Sequence, residues 1–393
     1  MSFRDTLKAQ QHNIRDYGMY IAFVIIVIFF TITTKGLFVS SRNIGNLVNA
    51  TSYIAVLAVG MTLVIVIRHI DLSVGFLAGT LGAVAAIALK YWLLPVYATI
   101  PLVLVIGVLA GLVTAFLVAK MRIPAFVATL AGWLGYKGLL QLVTRSTGTI
   151  IISDRVFNAL GNGYIPDFSG ITFLPGVHKV TLLLGVLAIV LYNMGEINNR
   201  RKTQAYHFEV LPTNMFILKL VFISLVIAGI TWILAGYQGL SWAAFVLILV
   251  VLIYTYITTK TVIGRHIYAV GGNPEAAELN GISVSNITFL VFGSMGLLTA
   301  VAGILYASWL RSATTIAGTG MELDAIAAAF VGGVAVAGGG GKISGSILGA
   351  LVMASLTNGM NLLGWDLSIQ FIVRALVLAG AVIFDVQTRK EVK

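Results

Sequence analysis

The sequence predicts an all-α fold: a polytopic integral membrane helix bundle of about ten to twelve transmembrane helices. It forms a single domain over residues 1–393, with the N- and C-termini cytoplasmic. Three observations predict it. First, 59% of the 393 residues are hydrophobic and only 10% are charged, against about a quarter charged in a soluble domain. Second, apolar runs long enough for about 30 Å of hydrocarbon recur along the chain. Third, the basic residues gather on one side of those runs. With the N-terminus inside, sixteen of the twenty-five Lys and Arg fall in inner loops, seven in outer loops and two within spans, as the positive-inside rule requires.

The spans are expected near 18–34, 46–67, 71–89, 95–119, 124–143, 179–194, 215–234, 241–258, 286–308, 323–338, 343–360 and 369–385. Backbone polar groups in lipid must pair internally, so each is a helix. Short alternating strands of the barrel type are not visible. The first run follows Arg4, Lys8 and Arg15 with no small-residue cleavage site behind it, and reads as a retained helix. Two large loops stand out. Thr144–His178, about 144–178, lies outside and carries a short amphipathic helix at Asp154–Leu160. Thr259–Ser285, about 259–285, lies inside. A third, basic loop at 195–214 is also inside. Glycine is frequent, with 42 residues, many within spans where small residues let helices approach closely.

The net charge of +11 is spread over helix ends and forms no continuous patch, so nucleic acid is not a partner. With no cysteine, disulfides, zinc-thiolate sites and thiol nucleophiles are excluded. His12, His69, His178, His207 and His266 share no metal-ligand spacing. Gly338–Ser344 invites a phosphate-loop reading, but Val336 stands where that pattern needs glycine and Ile343 where it needs Ser or Thr. It reads as a turn between spans.

In the inner loop, Asn273 is a helix N-cap and Pro274 the first helical residue. Glu275 and Glu278 suit the positive end of the helix dipole, and Gly281 ends it after about two turns. A helix this short is unstable alone and needs something to pack against. Two other short stretches, His69–Ser73 and Met321–Ala325, each place a carboxylate before a Gly/Ala-rich span, the faint trace of related halves. Asp71 and Ser73 in the first, and Glu322 and Asp324 in the second, are possible pathway or gating residues, with helix capping the plainer role for Asp71. Arg374 and Lys137 are cations within spans, where charge is costly and faces protein or water. Asp71, Glu322, Asp324 and Asp366 are the partners open to Arg374, and Lys137 is placed to snorkel outward. Aromatics near span ends, among them Tyr20, Trp92, Tyr97, Trp309 and Trp365, read as interfacial anchors.

Gly272-Asn273-Pro274-Glu275-Ala276-Ala277, followed by Gly281-Ile282, resembles the ATPase-coupling loop of bacterial ABC importer permeases of the ribose/xylose type. Asn43–Met61 resembles that family's second span, Ile70–Gly75 its IDLS-VG signature, Pro124–Leu130 a further motif, and Glu322–Ala327 with Gly332, Gly333, Gly338 and Gly339 its C-terminal signature. The set covers most of the chain in the family's order. Two features depart from the ribose type: His69 where glycine is usual, and extra length from about Val180 to Leu240, which adds two helices. Both resemble the longer xylose or multiple-sugar branch. The resemblance implies a permease subunit of an ATP-driven, binding-protein-dependent monosaccharide importer in the bacterial inner membrane. Its implied partners are a cytoplasmic ABC ATPase subunit, a periplasmic sugar-binding protein, a second permease copy and membrane lipid. It binds no cofactor; ATP and Mg belong to the ATPase, and the chain is not itself an enzyme. Two rival functions fit the residues less well. An ion- or proton-coupled secondary transporter needs mid-membrane acids, which are few here. A membrane enzyme needs a nucleophile, metal cluster or paired acids at one interface.

Overall fold

The computed structural model describes residues 19–145, 147–168, 174–206, 208, 210 and 212–390, with backbone alone from 384. Arg4, Lys8, His12, Arg15 and His207 lie outside the described residues, as do 146 and 169–173 of the outer loop. The fold is a helix bundle. Its elements are α1 (Met19–Thr33), α2 (Ser41–Val66), α3 (Val74–Lys90), α4 (Val96–Ala119), α5 (Ala125–Thr144), β1 (Thr149–Ile151), α6 (Arg155–Asn162), α7 (Lys179–Ala205), α8 (Thr213–Ala235), α9 (Trp242–Lys260), α10 (Val262–Gly272), α11 (Pro274–Leu279), α12 (Val284–Leu310), β2 (Ser312–Thr314), α13 (Met321–Val331), α14 (Ile343–Leu362) and α15 (Leu367–Lys390).

Eight of these helices are long and apolar enough to cross a bilayer: α2, α4, α5, α7, α8, α9, α12 and α14. The apolar stretches of α1, α3 and α15 are shorter. The run expected at 323–338 is not a full helix. α13 has 11 residues, about 16 Å of rise and roughly half the hydrocarbon thickness. β2 and the turns at 315–320 precede it in the chain. Gly320 sits at φ +80° before α13, and Gly333, Gly338 and Gly339 carry φ of +80°, +80° and +70° after it. These left-handed positions end the helix on both sides. Antiparallel β1 and β2, with Ile150 opposite Ala313, form the one short ladder among the described residues.

The central pair is α2 and α12. Ala55–Val66 is buried throughout, and in α12 Val291, Phe292, Met295, Leu298, Ala302 and Leu305 join the same core. α4 packs on α12 backbone to backbone. A Cβ on Gly107 would lie 2.6 Å from the Gly296 carbonyl oxygen, and one on Gly296 would lie 2.9 Å from the Gly111 nitrogen. α7 and α8 behave differently. They pair with each other and leave most of their apolar side chains exposed. These two helices fill the extra stretch from Val180 to Leu240. α7 continues as helix to Ala205, so the polar run 195–205, expected to be loop, is helical.

Candidate functional site

Three arrangements hold the residues singled out from the sequence. The first is a cavity of about 300 Å³ between α2, α14, α15 and the ends of α12 and α13, at the low end of small-molecule sites. Its α2 lining comes from the outer half, Leu47 to Ile54, and its α14 lining from Ala350 to Asn361. Its polar wall is Thr51, Tyr53, Trp309, Thr357, Asn358 and Asn361. Asp324 and Arg374 also line it and are joined as an ion pair. Of the four acids open to Arg374, Asp324 is the one the fold brings to it. Asn358 and Asn43 exchange reciprocal amide bonds of 3.1 and 2.8 Å. Asn361 accepts from the Gln370 amide at 2.8 Å. Tyr53 packs against Tyr306 and Trp309, with ring centroids 5.1 and 5.9 Å apart.

The second arrangement gathers Asp71, Ser73 and Glu322 away from that cavity. Asp71 does not cap a helix starting at Leu72, because α3 begins at Val74. Its carboxylate instead accepts from the Ser73 amide at 2.9 Å and the Ser73 hydroxyl at 2.6 Å, closing a local turn ahead of α3. Both residues are buried. Glu322, also buried, accepts from the Trp133 indole at 3.0 Å. Gly75 leaves the room its carboxylate occupies, since a Cβ there would overlap it, and Gly318 packs against the Gly75 backbone beside it. The two carboxylate-bearing stretches noted as a possible repeat thus start two helices, α3 and α13, that touch at their N-terminal ends. Lys137 does not snorkel outward. Its ammonium lies 5.1 Å from the Trp133 ring centroid and 5.6 Å from that of Phe76, a cation–π seat.

The third arrangement is the inner loop. α11 is built as its residues demand. The Asn273 side chain accepts from the Ala276 amide at 3.0 Å, Pro274 opens the helix, and Gly281, at φ +80°, follows its end. The preceding run, expected to be connector, is a second helix, α10, capped by Thr261. Ala277 is buried, whereas Glu275, Ala276 and Glu278 are exposed and Leu279 is 90% exposed. The glycine run is a turn packed beneath this loop. The Gly339 amide donates to the Val66 carbonyl at 2.8 Å, and the Tyr268 hydroxyl donates to Gly341 at 2.6 Å.

Sequence reasoning found Asp324 and Arg374 but missed Tyr53, Thr51, Thr357, Asn358 and Asn361, and assigned Trp309 to the interface. One signal was available: Asn358 and Asn361 put two amides three residues apart on one face of an apolar helix.

Residues 43–384 match the family described as "Branched-chain amino acid transport system / permease component". The xylose transport system permease protein XylH of Haemophilus influenzae is 36% identical over 384 residues, 98% of this chain and 99% of that protein. Its namesake from Escherichia coli K12 is 36% identical over 96% of this chain and 93% of that protein. The ribose import permease protein RbsC of Haemophilus influenzae is 34% identical over 93% of this chain and 91% of that protein. No solved structure matches significantly.

Proposed function

The chain belongs to the family of branched-chain amino acid transport system permease components, and from that premise we propose that it is the translocation subunit of an ATP-driven, binding-protein-dependent importer of monosaccharides, xylose or several sugars. It is a multi-pass inner-membrane protein. The observation that carries the sugar reading is the near full-length similarity to permeases named for xylose and ribose. The cavity supports it chemically. Threonine hydroxyls, two asparagine amides, a tyrosine and a tryptophan suit a polyhydroxylated ring, whose hydroxyls pair with the polar groups while its C–H face stacks on the aromatics. An aliphatic amino acid side chain would offer this polar wall no hydroxyls to match its own.

In this reading a periplasmic binding protein delivers sugar to the outer loops, with 144–178 the contact. Two permease copies flank the pathway. A cytoplasmic ATPase, carrying ATP and Mg, docks on Gly272–Gly281. What supports docking there is the exposed Leu279 beside Glu275 and Glu278: an apolar tip in an acidic rim on a helix too short to stand alone. Affinity resides in the binding protein, so a weak polar path suffices in the membrane.

The test is uptake of labelled xylose, ribose and leucine by cells expressing the chain with its ATPase and binding protein, with and without ATP depletion while the proton gradient is kept. Sugar uptake that stops with ATP is expected. Uptake that persists without ATP would establish ion coupling instead, and leucine uptake alone would overturn the sugar assignment.

A further inference from the structure

Three segments distant in sequence meet on the cytoplasmic side through one side chain. Arg68 follows the end of α2 at φ +66°, a left-handed position. Its Nε donates to the Gly271 carbonyl at 2.7 Å, and its Nη2 donates to the Gly272 carbonyl. These are the last carbonyls of α10, which have no helical partner and form the negative end of its dipole. The glycine turn closes the same junction. Gly339 donates to Val66, a Cβ on Gly338 would overlap the Arg68 side chain, and one on Gly339 would lie 2.9 Å from the Gly272 Cα. Gly271 has no room for a Cβ beside the Val66 carbonyl.

What these segments lead to gives the junction its meaning. Gly272 is the residue before the N-cap of α11. Val66 ends α2, whose outer half supplies Thr51 and Tyr53 to the cavity. The glycine turn joins α13, which carries Asp324, to α14, which carries Asn358 and Asn361. A displacement of α11 therefore reaches three cavity-lining helices through Arg68 and the backbone contacts around it. We infer that Arg68 is a positioning residue that ties the docking loop to the cavity walls, so that ATPase motion becomes cavity motion. This rests on the importer reading above. Lysine cannot replace it, because a single ammonium does not present two donors in a fixed fork to two carbonyls.

The experiment uses the full chain in its native complex. Having no cysteine, the chain accepts spin labels at Asn280→Cys and Val336→Cys directly, and the distance between them reports how firmly loop and turn are held. Arg68→Gly removes the donors without straining the left-handed backbone, and Arg68→Lys keeps the charge. The expected result is one narrow distance in the parent and a broadened distribution in both variants. ATP-dependent sugar uptake falls about tenfold or more, in line with two charge-assisted hydrogen bonds lost, while the amount of ATPase co-purifying stays unchanged. An unchanged label distance or unchanged uptake in Arg68→Gly would overturn the inference. Loss of the co-purifying ATPase would overturn it too, by making Arg68 a docking residue. If the parent itself shows no ATP-dependent uptake, the importer reading fails, and the label distance alone then decides the clamp.

Discussion

Asp324 and Arg374 form an ion pair in the wall of the cavity. Each is largely shielded, with side chains 27% and 21% exposed, so removing one strands the other in a poorly hydrated site. Asp324→Asn or Arg374→Gln alone is expected to cost about 1–3 kcal/mol, less than for a fully buried pair because the cavity admits water. The double variant should recover much of that loss. Thermal unfolding in detergent checks it, and additive losses would show that the two charges act separately. That Arg374 needed a partner was legible, since a cation in an apolar run seldom stands alone. Which acid it meets was not, because the choice depends on how α13 and α15 cross. Leu279 yields a second expectation. Leu279→Asp should reduce ATPase co-purification and uptake several-fold with membrane insertion unchanged, as expected for an exposed anchor. Ala277 is a poor probe of docking, because it is buried and a larger residue there would break the loop itself.

Among the elements, α4 and α12 are held by glycines that admit no side chain. Gly296→Val should push them apart and destabilise the protein by about 2 kcal/mol or more, the cost of overpacking a close helix contact. Normal expression and unchanged melting would contradict that packing. The start of α7 carries the clearest pH dependence. Asp167 accepts from the Val180 amide at 3.0 Å and lies 3.6 Å from the Lys179 ammonium. Partial burial works to raise its pKa, but the amides of Val180, Lys179 and Phe168 and the nearby His178 outweigh it and hold the carboxyl down, at about 2 against an ordinary 3.8. A depressed folded value stabilises above the ordinary pKa and is lost as pH falls through the folded one. Exchange of the Val180 amide should therefore speed up as pH drops from about 4 to 2, after correction for intrinsic rates, and Asp167→Asn should abolish that dependence. Element identity was mostly legible because lipid demands long apolar helices. α13 was not, because its alanine and valine run continues through the glycine turn, and hydropathy cannot tell a helix from an apolar turn whose glycines sit at positive φ. α10 escaped because its cations read as the end of α9, whereas Thr261 restarts the helix.

For the whole molecule, the expectation is twelve passages, with β2 and α13 counted as one beside the eight long helices and the shorter α1, α3 and α15, so that both chain ends lie on one side. Two single-cysteine variants test this. A membrane-impermeant maleimide applied to intact cells should label Val156→Cys on α6 and leave Asn280→Cys unlabelled until the membrane is opened. The reverse pattern would invert the topology. The side on which the loops lie is an expectation from the basic residues alone. The cavity was not legible in the sequence, because its polar groups come from helices separated by some three hundred residues.

The α7–α8 hairpin leaves and rejoins the body at nearly one point: the His178 amide donates to the Ala235 carbonyl at 2.9 Å. Because its two passages cancel, excising it would alter neither the sidedness of any later segment nor the path of α9. It is a cassette spliced between two neighbouring seams. A chain joined directly from Val177 to Gly236 should still insert with every remaining loop on its original side, and so show how a longer and a shorter permease can share one frame.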